Sequence, residues 1–394
     1  MGLDVISGCW IAIQLLVGYN LVLPLVIYLI SVFKRHGIAQ SISNTNADYA
    51  IIVTAYEQTH TLGPVVASIL QLKHKNFLVY IVADKCDVSQ LHFEDERVIV
   101  LRPEETLSSN TRSHFYAIHR FKRPHDRLTI IDSDNLVEPD YLDQLNPYFE
   151  AGFKAVQGVR DAKNMDTMYA CLDAARDIYY HFYDGKILFQ AGSSATLAGS
   201  GMAFTTALYR NCLEHQDITG AGFDKILQKE IVNRGERIAF SEHAIVYDEK
   251  TSKSDQLVKQ RARWINTWFR YFKFGFGMIG NGILKFDWNR LLFGLVLLRP
   301  PLFIFLILSL LFAFVDLFVD PIQTLYWIGG FFLFVVGFLF SLLMSKTDKR
   351  IYRSLWGIPK FIFYQVLSLL KVRKANELSV ATQHYHDNEI NEIK

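Results

Sequence analysis

Residues Cys9 to Phe33 form an almost wholly apolar run, and no other stretch limits the fold so strictly. As a helix it is long enough to cross a bilayer core of roughly 30 Å. A secretory signal would carry its positive charge ahead of the apolar run, whereas here Asp4 precedes it and Lys34-Arg35 follow. The positive-inside rule therefore expects a retained anchor with the next domain on the cytoplasmic side. Gln14, Asn20 and Pro24 within the run imply a face packed on other helices. The far end of the chain is also apolar. Leu291 to Leu317, interrupted by Arg299 and kinked at Pro300-Pro301, reads as one span. Tyr326 to Met344 reads as a second, with Lys346, Lys349 and Arg350 marking a return to the cytoplasm. Tyr352 to Leu370 reads as an interfacial helix in preference to a third span, because crossing outward would strand Lys371, Arg373 and Lys374. An arginine at membrane depth is costly. Arg299 is expected to face a polar path or a lipid phosphate, or to snorkel to the interface.

Between these ends lies a mixed, globular sequence. Tyr49 to Thr54, Leu78 to Ala83, Arg97 to Leu101 and Arg127 to Ile131 are strand-like runs. Helical stretches separate them, from about Pro64 to Leu72, Asn110 to Phe121 and Glu138 to Phe149. This alternation predicts an α/β domain with a doubly wound parallel sheet. Phe153 to Val159, Arg237 to Phe240 and Ala244 to Tyr247 read as further strands, and Gly222 opens a helix to about Asn233. The formal net charge of +2 gives no reason to expect a nucleic-acid surface. Cys9, Cys86, Cys171 and Cys212 are scattered and offer neither a disulfide framework nor a zinc site.

In an open α/β sheet, ligands bind beyond the carboxyl ends of the strands. The fourth strand ends in Asp132-Ser133-Asp134, and the second ends at Asp84, on the same expected rim. Two carboxylates one residue apart suit Mg²⁺ or Mn²⁺ shared with substrate phosphates, although Asp, Ser and Asn also make ordinary turns. Gly199-Ser200-Gly201 would let backbone approach a ligand or a neighbouring helix closely. Asp224, in the first turn of its helix, suits the helix dipole even without a chemical role. Lys259 to Lys273 is basic, amphipathic and aromatic, as interfacial helices are. Its Gln260, Arg263 and Trp264 fall within one turn and could offer a guanidinium to phosphate and a flat ring to a sugar.

Taken in order, these features resemble the membrane-integrated, inverting family-2 glycosyltransferases of GT-A fold, the group containing cellulose, chitin and hyaluronan synthases. The resemblance covers about residues 48–275. Asp84 corresponds to the aspartate that contacts uridine, and Asp132-Ser133-Asp134 to the D-x-D that holds metal and diphosphate. Gly222-Phe223-Asp224 falls where the family has Thr-Glu-Asp, whose aspartate is the general base. Gln260-Arg261-Ala262-Arg263-Trp264 fits the Q-x-x-R-W signature, the most specific of the four matches. The resemblance implies a nucleotide-diphosphate sugar donor, UDP-linked in the main reading, with Tyr56, Glu57 and Asp84 around base and ribose. Asp132 and Asp134 would hold Mg²⁺ or Mn²⁺, and Arg263 the diphosphate. Trp264 would stack under the acceptor, Gly199, Ser200 and Gly201 would line its site, and Asp224 would take its proton.

The departures are specific. Thr and Glu of Thr-Glu-Asp are missing, Thr54-Ala55-Tyr56-Glu57-Gln58 replaces Pro-Ala-Tyr-Asn-Glu, and a tandem Asp-Asp is reduced to Ala83-Asp84. Arg112 stands near where a lysine is expected and could meet a phosphate. The resulting map is an anchor (1–35), a linker (36–47), a cytoplasmic GT-A domain (48–250) and interfacial helices (251–290). Transmembrane helices (291–345) and an interfacial or third membrane helix with a cytoplasmic tail (346–394) complete it. The expected setting is a plasma (inner) membrane, crossed more than once. The leading expectation is a polysaccharide synthase forming β-linkages. Its rival adds one sugar to a lipid-linked acceptor, which few spans favour unless a partner subunit completes a channel. A non-catalytic assembly subunit is the third reading. A tail segment, Thr382-Gln383-His384, resembles a short family motif near the site.

Overall fold

The computed structural model describes residues 2–34, 45–375 and 389–393. Most of the linker and the Thr382-Gln383-His384 segment lie outside them. Eight strands form one sheet: β1 (Tyr49–Tyr56), β2 (Phe77–Asp84), β3 (Val98–Leu101), β4 (Arg127–Asp132), β5 (Leu136–Val137), β6 (Ala155–Ala162), β7 (Met202–Thr205) and β8 (Ile238–Asp248). Their spatial order is β3-β2-β1-β4-β7-β6-β8-β5. The first half is parallel, as the alternation predicts, and β1 is buried along most of its length beneath helices. The second half departs from that expectation. β7 runs antiparallel between β4 and β6, so the sheet is mixed. The two short strands expected at 237–247 are one strand, β8, whose pairing with β6 shifts register between Gln157 and Val159.

Because β6 and β8 pair parallel, and β7 reverses direction twice between β4 and β6, the carboxyl ends of β1, β2, β4, β6 and β8 share one rim. The helices of the first half are α1 (Gly2–Lys34), α2 (Leu62–Leu70), α3 (Asn110–Ile118) and α4 (Tyr141–Glu150). Next, α5 (Met168–Tyr180) runs without a break into a π-helical segment, His181–Ile187, and a last turn, α6 (Leu188–Gln190). After β7 come α7 (Thr206–Leu213) and α8 (Phe223–Asn233). The Q-x-x-R-W residues lie on α9 (Ser254–Tyr271).

Two 11-residue helices follow, α10 (Phe274–Leu284) and α11 (Trp288–Leu298), both too short to cross a bilayer. The kinked span expected from Leu291 to Leu317 is instead split at Arg299-Pro300-Pro301 into α11 and α12 (Leu302–Val319). A break here frees backbone groups that the prolines could not have used in a helix. α13 (Pro321–Met344) starts earlier than expected, capped by Asp320 with Pro321 in its first turn. α1, α12 and α13 are long and apolar enough to span a membrane, and outward residues such as Leu310, Phe314, Phe318 and Phe332 leave large apolar surfaces exposed. The three are tied together by Asp316, whose carboxylate accepts from Gln14 Nε2 (2.9 Å), Trp327 Nε1 (2.9 Å) and Trp10 Nε1 (3.2 Å). Gln14 and Asn20 are buried, on the packed face the sequence anticipates. Finally α14 (Lys349–Ser354) leads to α15 (Ile358–Leu369), whose 12 residues pack on α9.

One contact fixes where α8 starts. Gly222 caps it at φ 102°, and a Cβ there would stand 2.6 Å from the Tyr271 ring and 2.7 Å from the Thr267 methyl on α9. That explains the lost Thr of the family triplet: only glycine lets α8 approach α9 this closely. We expect Gly222→Thr to cost about 2–4 kcal/mol through left-handed strain and overpacking, read as a lowered unfolding temperature of the detergent-solubilised chain. A second prediction concerns His114 on α3. It is fully buried against Tyr209 and Phe223, and burial pushes its pKa down to about 3. The unfolded chain then binds the extra proton first, so stability falls as pH drops from about 6.5 toward 3. His114→Asn should flatten that slope in a pH series of unfolding temperatures.

Candidate active site

The shared rim opens on a cavity of about 670 Å³, within the size range of small-molecule sites. Tyr56, Asp84, Asp132, Asp134, Gly199, Asp224, Gln260, Arg263 and Trp264 all line it. Residues scattered over some two hundred positions thus meet around one space.

The fourth strand delivers its carboxylates through a tight turn in which Asn135 N–H donates to the Asp132 carbonyl (3.1 Å). Beneath it, buried Ser200 accepts from the Asp132 backbone N–H (3.0 Å) and from Asn135 Nδ2 (2.8 Å). Gly199 (φ 91°) and Gly201 (φ 63°) make that loop possible, and Gly201 leaves no room for a Cβ against Val246. The expectation that Gly199, Ser200 and Gly201 all line the acceptor site is therefore revised. Gly199 faces the cavity, while Ser200 and Gly201 hold the acidic turn from below.

Asp84 lines the cavity, but its two carboxylate oxygens already accept the backbone N–H groups of Leu107 (2.9 Å) and Ser108 (2.8 Å). It positions that loop over the site. Glu57 departs further from expectation. It adopts a left-handed φ of 61° and pairs outward with Lys85 at 2.7 Å, while its neighbours Tyr56 and Gln58 line the cavity. Arg112 is likewise outside the lining, forked onto Asp217 at 2.8 Å on the surface. A bidentate carboxylate partner satisfies the guanidinium there.

The Q-x-x-R-W turn is placed by ion pairs and packing. Gln260 Oε1 accepts from Thr251 Oγ1 (3.0 Å). Arg261 is buried, pairs with Asp173, and lies 4.0 Å from the Trp264 ring centroid. Arg176 lies 4.1 Å from the same centroid. The Trp264 ring, expected to stack under a sugar, is thus already occupied by two guanidiniums. Arg263 also faces the cavity, where burial lowers its pKa from the usual arginine value.

Several cavity residues carry no motif. Arg160 at the end of β6 pairs with Asp248 at the end of β8 (2.6 Å) and donates to the Ala198 carbonyl (2.6 Å). Lys250 bridges Asp248 (3.0 Å) and Asp177 (2.7 Å), and Asp177 pairs with Arg176. Burial works against the charge on Arg160, but Asp248, Asp177, Asp132 and Asp134 outweigh it and hold its pKa above normal. Asp248 could have been found from the sequence, because it stands directly after the strand-like run ending at Tyr247, just as Asp84 and Asp132 end theirs. Arg160 and Asp177 carry no comparable signal. At the opposite end, the π-helical segment presents Asp184 to the cavity, paired with Arg299 at the α11–α12 break. Arg299 is buried in this pair, so it meets the polar cavity in place of a lipid phosphate or the interface.

Among the described residues no cluster of three His, Cys, Asp or Glu side chains is arranged around a metal position. Asp132 and Asp134 together still fit a hard divalent ion that takes its other ligands from phosphate and water.

A family model for glycosyltransferase like family 2 matches residues 46–267. No curated protein matches the sequence. Among solved structures, the mannosyltransferase PcManGT from Pyrobaculum calidifontis, in complex with GDP-Man and Mn2+, is similar with a TM-score of 0.55 and 11% identity. That match covers 91% of this chain and 98% of the other, and at such identity it speaks for the fold alone. The GT-A-like architecture and the cavity on its carboxyl rim agree with the family match, which spans more than half of the chain: the chain belongs to glycosyltransferase family 2, and it is an enzyme of that class.

Proposed function

We propose that this enzyme transfers a sugar, with inversion, from a nucleotide-diphosphate sugar to a hydroxyl of a membrane-associated saccharide. The observation that carries this is the meeting of Asp132, Asp134 and Asp224 around one cavity that continues to the membrane helices. The base and ribose would lie by Tyr56 and Asp84 at the ends of β1 and β2. The family match supports a nucleotide-sugar donor, and the similar mannosyltransferase is bound to GDP-Man. UDP remains our main reading of the base, since Asp84 is the residue the resemblance assigns to uridine.

Asp132 and Asp134 would hold Mg²⁺ or Mn²⁺ beside the diphosphate. When bound, that ion supplies positive charge for the phosphate oxygens as the nucleotide leaves. Arg263, which also lines the cavity and is partly desolvated, would strengthen the same attraction. Asp224 sits at the positive end of α8, and Lys225 Nζ stands 3.0 Å from its carboxylate. From there its carboxylate oxygens could accept a proton from the attacking hydroxyl.

The far wall supports one acceptor class over the other. Val296, Leu297, Leu302 and Phe303 close the cavity where α11 gives way to α12. An apolar wall at the membrane favours a lipid-linked saccharide over a polymer threaded across the bilayer. With three helices among the described residues long and apolar enough to span a membrane, a polymer channel would need a partner subunit. The positive-inside rule, with Lys34 closing α1 and Lys346, Lys349 and Arg350 following α13, favours a cytoplasmic catalytic domain in a plasma (inner) membrane.

The test is nucleotide release by membranes containing the chain, given UDP- and GDP-sugars with Mg²⁺ or Mn²⁺. We expect one donor class to be turned over, with a single lipid-extractable product; a ladder of growing products would favour polymer synthesis. Asp224→Asn should lose about 10²–10⁴ in turnover while still binding donor in equilibrium dialysis; wild-type turnover by this variant would refute the base. Asp132→Asn and Asp134→Asn should each weaken donor binding in the presence of the ion more than in EDTA.

A further inference from the structure

Segment 196–199 lines the cavity just ahead of Ser200, which lies beneath the acidic turn, and several of its backbone groups are fastened. Thr196 N–H donates to the Asp184 carbonyl (2.9 Å), and Ala198 N–H to Gln157 Oε1 (2.9 Å). The Ala198 carbonyl accepts from Arg160 and the Leu197 carbonyl from Lys225 Nζ (3.2 Å). The remaining Leu197 N–H donates to Gln228 Oε1 at 3.1 Å. This last bond fixes which way the Gln228 amide points, because a flipped amide would set N–H against N–H. Its Nε2 is therefore the group left over. Gln228 is fully buried, yet it lines the cavity, and its Nε2 finds no hydrogen-bond partner among the described residues.

A buried amide NH₂ without a partner is destabilising, and in a native structure it calls for a specific explanation. Position supplies one. Gln228 stands one helical turn after Asp224 on α8, so the two side chains share a face with Cβ atoms about 5–6 Å apart. One is an acceptor of protons; the other offers only a donor.

We propose that Gln228 is an acceptor-binding residue, whose Nε2–H holds the oxygen next to the hydroxyl that Asp224 deprotonates. The group recognised is a vicinal diol of a pyranoside. A bare lipid phosphate does not fit this reading, because it needs no base and Asp224 would repel it. The inference rests on the base assignment proposed for Asp224 and deepens it: the nucleophile belongs to a saccharide, and two of its oxygens are read together.

The test uses the full-length chain in detergent micelles with octyl β-glucoside, octyl α-mannoside and octyl β-N-acetylglucosaminide as acceptors. Nucleotide release is followed with the donor that wild type turns over. Gln228→Leu removes both polar atoms; Gln228→Glu keeps the oxygen for Leu197 N–H and replaces the donor. Both variants should raise the acceptor KM about three- to tenfold, more than the donor KM. For the best glycoside, the deoxy analogue lacking the neighbouring hydroxyl should be poor for wild type, and Gln228→Leu should not lower its use further. The proposal is overturned if acceptor and donor KM move together, if the deoxy analogue loses as much again in the variant, or if none of the glycosides stimulates release. It is equally overturned if a buried water, and no sugar, takes the Nε2 proton, seen as unchanged acceptor KM in both variants. Asp224→Asn in the same assay separates the outcomes: full activity there fells the base assignment itself, whereas loss there with unchanged Gln228 variants fells only this inference.

Discussion

An alternating row of buried and partly buried charges runs beside the cavity. It runs Arg160, Asp248, Lys250, Asp177, Arg176, Asp173, Arg261, each paired with the next. β6, β8, α5 and α9 each contribute, so the row locks the acidic rim of the sheet to the helix that carries Q-x-x-R-W. Removing one member of a buried pair typically costs about 3–5 kcal/mol, because its partner is left charged and dry. The row begins and ends on a cation, four against three carboxylates. At one end that surplus is met by Asp132 and Asp134, whose carboxylates help to keep Arg160 charged.

The glycines and the π-helical segment serve the same geometry from other directions. Gly185, within that segment, faces the Phe240 ring so closely that a Cβ would stand 2.5 Å from it. The wider turn of a π-helix brings Asp184 to the cavity while Tyr183 reaches the Gly337 carbonyl of α13 (2.8 Å). One short segment therefore touches both the cavity and a helix long and apolar enough to span a membrane.

Much of this was legible in the sequence, and the limits have physical causes. The parallel strands were readable because a buried strand is a continuous β-branched run, as in β1 and β4. β7 was not, because four residues beginning at Met202 give too little pattern to reveal direction, and direction is set by the partner strands. Asp132, Asp134 and Asp224 could be singled out by type and place along the chain. The outward turn of Glu57 and Arg112 could not, since it depends on Lys85 and Asp217, which meet them only in three dimensions. The occupation of Trp264 by Arg176 and Arg261 was hidden for the same reason. Gln228 carries no motif at all; it stands out only once the hydrogen bonds around it are counted.

The bond between Asp316 and Gln14 joins residues 302 positions apart. During synthesis the whole catalytic domain is made after α1 and before α12 and α13, the three helices long and apolar enough to span a membrane. Until those last helices dock, the cavity lacks the wall made by Leu302 and Phe303, and Arg299 lacks the fixed break that holds it against Asp184. A chain released early from the ribosome would own every acidic residue of the cavity and still lack that wall. Docking of the final helices thus completes the cavity, so that the last part of the chain to be made finishes a site whose acidic residues were all made before it.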